Sequence, residues 1–137
     1  MRSLIDTNVV LDALLGRKPF AKYAAAIFAL AERSRIEAFL CPTTVTTIDY
    51  FMERSLPTPE ARKAIGRLLK IFEIAPVNRS VLERALALKM RDYEDAVLIA
   101  SAELVGAEVI VTRNVKDFVR SPLRIFQPDE FLAALNG

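Results

Sequence analysis

The chain has 137 residues, a formal net charge of +2, one cysteine and no histidine. The missing histidine excludes Ser-His-Asp triads, histidine acid–base catalysis and Cys/His zinc sites, and makes clustered carboxylates with a hard metal ion the natural means for chemistry. A composition of 53% hydrophobic and 26% charged residues predicts one globular domain over residues 1–137 and excludes disorder.

The single cysteine, Cys41, reads as a small buried hydrophobe and suits a reducing, cytoplasmic setting. Asp6 and Asp12 interrupt the first apolar stretch, so no secretory pattern is expected there. The apolar segment from Tyr23 to Ala31 is too short for a membrane span.

In chain order, Ser3-Leu4-Ile5 predicts a buried strand ending at Asp6. Val9, Val10, Ala13 and Leu14 recur at helical spacing, predicting a first helix from about Asn8 to Gly16. Pro19 opens a second helix to about Ser34, and Glu37-Ala38-Phe39-Leu40 reads as a second strand. Thr43 or Thr44 is expected to cap a third helix reaching Arg54, and Pro57-Thr58-Pro59-Glu60 precedes a fourth helix to Phe72. Ile74-Ala75-Pro76-Val77 predicts a short strand, its proline pointing to a sheet edge. A fifth helix over Ser80–Met90 and a sixth over Tyr93–Val105 follow, the latter stopped by Gly106. Glu108 to Thr112 is the clearest strand, Leu123 to Phe126 a short one, and Pro128 starts the last helix.

Strands separated by helices throughout predict an α/β fold: a three-layer α/β/α single domain with a parallel central sheet. In such a sheet, ligands bind beyond the carboxyl ends of the strands. That expectation gathers three short segments at one pole: Asp6-Thr7-Asn8, Asp92 with Asp95 at the start of the sixth helix, and Thr112 to Phe118 after the late strand. Each acid alone has an ordinary use. Asp6 and Asp92 are favoured helix caps, Asp95 complements a helix dipole, and Asn114 and Asp117 shape a turn. Together they form a cluster whose mutual repulsion a cation would relieve. Oxygen-only donors favour Mg²⁺ or Mn²⁺, and such ions commonly act on phosphates. No Walker A loop or dinucleotide fingerprint is present, so a nucleic-acid phosphodiester is the better substrate class.

Leu4-Ile5-Asp6-Thr7-Asn8, Asp92-Tyr93-Glu94-Asp95-Ala96 and Val111-Thr112-Arg113-Asn114-Val115-Lys116-Asp117-Phe118, in that order, resemble the PIN domain, as does the terminal Pro128-Asp129-Glu130-Phe131-Leu132. The resemblance implies a metal-dependent endoribonuclease that cleaves RNA, of the kind that forms the toxin of a toxin–antitoxin pair. It implies Asp6, Asp95 and Asp117 as catalytic metal ligands, with Asn8, Thr112 and Asn114 supporting them, and an antitoxin and a homodimer partner through the early helices. The sequence departs from the family in the third helix. Thr47 stands where a glutamate is usual, and Asp49 lies about 200° round the helix from it. Asp92, one turn before Asp95, is read as a further metal ligand that replaces the missing charge.

Arg113 and Lys116 are expected to contact substrate phosphates. Arg62, Lys63, Arg67 and Lys70 read as the wet face of an amphipathic helix, and Tyr23, Phe28, Tyr50 and Phe51 as core or dimer packing. The competing reading is a PIN-like module that binds RNA or protein through a weakened or inactive site.

Overall fold

Each strand of this protein is two to four residues long, so its sheet depends on helices packed against both faces. The computed structural model describes residues 1–136. Its elements are β1 (Arg2–Ile5), α1 (Thr7–Leu15), α2 (Ala21–Glu32), β2 (Glu37–Leu40), α3 (Pro42–Glu53), α4 (Thr58–Ile71), β3 (Glu73–Ile74), α5 (Arg79–Ala87), α6 (Tyr93–Leu104), β4 (Val109–Val111), a short 3₁₀ turn (Val115–Phe118), β5 (Arg124–Phe126) and α7 (Pro128–Asn136). The strands lie in the order β3-β2-β1-β4-β5, every neighbouring pair parallel. This is the α/β architecture with a parallel central sheet expected from the sequence.

Successive strand residues face opposite sides of a sheet, and the core divides accordingly. Ile5, Leu40, Val109 and Val111 bury against α1, α2, α3, α4 and α7. Leu4, Phe39 and Ile110 bury against α5 and α6 on the other side. Helix α6 buries seven consecutive residues, Ala96 to Ala102. They surround the helix and pack it in the core between the sheet and α5, which explains why it shows little one-sided periodicity.

Of the boundaries that differ from expectation, three have local reasons. Helix α3 begins at Pro42 rather than after a threonine cap; proline at the first helical position forgoes only an N–H that has no intrahelical partner. Strand β3 lies on the expected edge but ends at Ile74, before Pro76. Asn78 caps α5 by accepting from the Val81 N–H at 3.0 Å, so that helix starts at Arg79; its last residue is Ala87.

The order β3-β2-β1-β4-β5 has its reversal between β1 and β4. The chain builds outward from β1 to β3, then returns to lay β4 on the other side of β1. The loops leaving the two strands therefore diverge and open a crevice. Asp6 follows β1, and Thr112 follows β4.

Candidate active site

Asp6 begins the site. Its backbone N–H donates to the Val111 carbonyl at 2.9 Å, continuing the β1–β4 ladder. It also caps α1, and its Oδ1 accepts from the Thr7 N–H at 2.7 Å. Its Oδ2 accepts from Thr112 Oγ1 at 2.7 Å and from Asn8 Nδ2 at 3.3 Å. The carboxylate is 6% exposed. Burial raises its pKa; the Thr112 and Thr7 hydrogen bonds oppose that, and the charges of Asp117 and Asp92 add to it. Capping and site-building are thus the same geometry at Asp6.

Thr112 is fully buried and its hydroxyl is shared: it donates to Asp6 and accepts from the Asn114 N–H at 3.0 Å and from Asn8 Nδ2 at 3.3 Å. Asn8 in turn accepts the Arg113 N–H at 3.3 Å. Asn8 and Thr112 thus both hydrogen-bond the Asp6 carboxylate. Asn114 is exposed and takes part through its backbone, its carbonyl accepting from the Asp117 N–H at 3.0 Å. Asp117 rides on the 3₁₀ turn, which Phe118 anchors by burying its ring in the core beneath α6.

Asp92 caps α6, its Oδ1 accepting from the Asp95 N–H at 3.2 Å. Asp95 lies half-buried in the first turn. Burial first, then the charges of Asp92, Asp6, Asp117 and Glu94, push its pKa up to about 7. The four acids therefore feel one another, although they come from three separate segments of chain.

Asp92, Asp95 and Asp117 line a cleft of about 670 Å³ together with Met90, Arg91, Tyr93, Lys116, Val119 and Arg120. Lys116 occupies the expected position in this cleft. Arg91 was not singled out from the sequence; its place next to a helix cap was the available signal.

Arg113 is placed otherwise than expected. Its guanidinium donates to the buried carboxylate of Asp12 at 2.6 and 3.2 Å and lies 4.1 Å from the Phe20 ring centroid. It turns back across α1 because Asp12 is buried and requires a counter-charge. Asp49 pairs with Arg62 of α4 at 3.0 Å. Arg62 also reaches Glu53 at 2.9 Å, as a wet helix face would. Tyr50 is a surface side chain, 61% exposed, stacked edge-on with Phe51 rather than buried in the core.

The donors are all carboxylate oxygens, which suit a hard divalent cation. Among the described residues no three His, Cys, Asp or Glu side chains form a ready cage for one ion. The arrangement is an open one, and open sites suit Mg²⁺, which keeps several of its waters. Burial, and after it the charges of the neighbouring acids, lift Asp95 to about 7; a bound cation would offset both, so the residues fit such an ion.

Comparison with known proteins agrees with this geometry. The sequence matches the PIN domain family over residues 2–116. It is 23% identical over 137 residues to ribonuclease VapC1 of Aquifex aeolicus (strain VF5), an alignment covering 96% of this chain and 94% of that protein. The fold is similar to the VapBC2 structure from Rickettsia felis bound to a promoter DNA fragment, with a TM-score of 0.73 at 18% identity over 93% of this chain and 98% of that one. It is also similar to a toxin–antitoxin complex from Klebsiella pneumoniae, with a TM-score of 0.70 at 26% identity over 92% of this chain and 97% of that one. With the family match spanning most of its length and the acids gathered at the expected end of the sheet, this chain belongs to the PIN domain family.

Proposed function

We propose that this protein is a divalent-metal-dependent endoribonuclease and the toxin of a toxin–antitoxin pair. The observation that carries the reading is the set of coupled carboxylates at the β1/β4 reversal, of which Asp95 is raised to about 7. Asp6, Asp95 and Asp117 would hold Mg²⁺ or Mn²⁺, with Asp92 as a further ligand. Such an ion supplies charge stabilisation on phosphoryl oxygens and an activated water.

The chain's own residues supply position and charge. Thr7, Asn8 and Thr112 hydrogen-bond the Asp6 carboxylate and hold its orientation. Lys116, Arg91 and Arg120 line the same cleft as the acids, where they would bind the phosphates of an RNA strand without reading its sequence. Tyr93 stands at the cleft with its hydroxyl donating to the Leu82 carbonyl at 2.9 Å, which fixes one end of the ring. An antitoxin partner is proposed from the relatives in toxin–antitoxin complexes, and a homodimer from the family resemblance, for which the surface pair Tyr50 and Phe51 offers apolar area.

The second reading, a binding module with a weakened site, is favoured by one observation: Thr47 leaves α3 without an acid at the position where the family usually has one. Mn²⁺-dependent cleavage of RNA, abolished by Asp6→Asn, separates the two. Binding of RNA with no cleavage at millimolar Mn²⁺ would establish the module instead.

A further inference from the structure

The ion pair between fully buried Asp12 and part-buried Arg113 lies outside the carboxylate cleft, and the metal-site chemistry above does not use it. We propose that Asp12 is a positioning residue: with Asn8 it clasps the residue after Thr112 and so sets the geometry of the acidic site. The proposal rests on the reading of that site as a metal site.

Asn8 and Asp12 are four residues apart on α1 and therefore share one helix face. Both grip residue 113. Asn8 Oδ1 accepts its backbone N–H at 3.3 Å, and Asp12 accepts its guanidinium through two oxygens at 2.6 and 3.2 Å. Arg17 approaches the same carboxylate at 3.8 Å, and the Phe20 ring stacks against the Arg113 guanidinium at 4.1 Å. Asn8 also reaches Asp6 Oδ2 and Thr112 Oγ1, both at 3.3 Å. A continuous chain of contacts thus runs from Asp12 through Arg113 and Asn8 to Asp6. It ties α1, which follows β1, to the loop that follows β4.

The pair's cost argues for such a role. Asp12 is fully buried in a helix whose other inward residues are Val9, Val10 and Leu11. Replacing a buried ion pair by apolar side chains of similar volume is often neutral or stabilising, so stability alone gives little reason to keep one. A bidentate guanidinium–carboxylate fork supplies what an apolar contact cannot, a set direction.

The test is the paired substitution Asp12→Leu with Arg113→Met, alongside Arg113→Lys, which keeps the charge but loses the fork. Thermal melting, calorimetric Mn²⁺ titration without substrate, and binding of a short single-stranded RNA in EDTA are measured for each. The paired variant is expected to melt at or above the wild-type temperature, to bind Mn²⁺ about tenfold more weakly, the scale of supporting residues around metal ligands, and to bind RNA within twofold of wild type. Arg113→Lys is expected to weaken Mn²⁺ severalfold, and it decides the question if the paired variant does not fold. Asp49→Asn, which breaks the surface pair with Arg62, is expected to leave Mn²⁺ affinity unchanged. Wild-type Mn²⁺ affinity in a folded Arg113→Lys or paired variant overturns the clasp while leaving the metal site standing. Lost RNA affinity with unchanged Mn²⁺ affinity overturns it in favour of a phosphate contact at Arg113. A wild-type protein that binds no Mn²⁺ removes the metal site and the clasp together.

Discussion

Thr112 Oγ1 donates a 2.7 Å hydrogen bond to Asp6 Oδ2, joining residues 106 positions apart at the carboxyl ends of two adjacent strands. The donor is fully buried and the acceptor nearly so. This bond helps hold an otherwise disfavoured carboxylate in its charged form.

Thr112→Val keeps the shape and removes the hydroxyl. Asp6 Oδ2 then retains only Asn8, and the Asn114 N–H loses its acceptor. A loss of about 1–3 kcal/mol in denaturant unfolding is expected, the usual cost of stranding buried polar groups. Mn²⁺ affinity should fall with it. Unchanged stability would mean that water or a rearranged Asn8 replaces the hydroxyl.

Asp92→Asn separates charge from capping. Asparagine caps a helix about as well as aspartate, so the melting temperature should stay close to wild type. Removing the negative charge should lower the Asp95 pKa, because the Asp92 charge is among the causes that raise it. If Asp92 replaces the missing α3 acid as a metal ligand, calorimetry should find Mn²⁺ binding weakened nearly as much as by Asp95→Asn. Unchanged affinity would confine Asp92 to its capping role.

Thr47→Glu restores the family's usual acid. Thr44, one turn earlier on the same side of α3, shares a 2.9 Å hydrogen bond with Thr7, the neighbour of Asp6. A glutamate at 47 is therefore expected to reach the acidic pole. Tighter Mn²⁺ binding, by about tenfold, and faster RNA cleavage should follow. No gain in either would place position 47 away from the ion.

Stability of the metal-free protein should fall as pH rises toward neutrality. The Asp95 pKa is raised from 3.8 to about 7, so the folded state binds more protons than the unfolded state between those values. The unfolding free energy then decreases with pH across that window. Asp6 is shifted in the same direction. Melting temperatures measured in EDTA should drop between pH 4 and 7, and added Mn²⁺ should raise them more at pH 8 than at pH 5. A flat profile in EDTA would remove the coupling among the carboxylates.

Local patterns in the sequence carried much of the architecture. Apolar runs, helical periodicities and proline or glycine punctuation located the five strands and seven helices of the described residues, because most of them bury a face and leave that mark in the chain. Boundaries were less legible where the deciding contact was local and polar, as at Asn78, or where proline began a helix, as at Pro42. Asn8 and Thr112 were marked by the resemblance to the PIN domain, and both hydrogen-bond the Asp6 carboxylate.

Arg113 was not legible in the same way. Its partner Asp12 lies 101 residues away, and nothing near either residue marks the pair except an acid in an apolar helix. By itself, the sequence excluded histidine chemistry and pointed to carboxylates, since it contains no histidine and its acids stand at the ends of predicted strands. Only the tertiary structure decided which charges face the cleft and which face inward. That choice depends on desolvation: the fold buries Asp12, so Arg113 turns to it, and Lys116, Arg91 and Arg120 remain beside the acids.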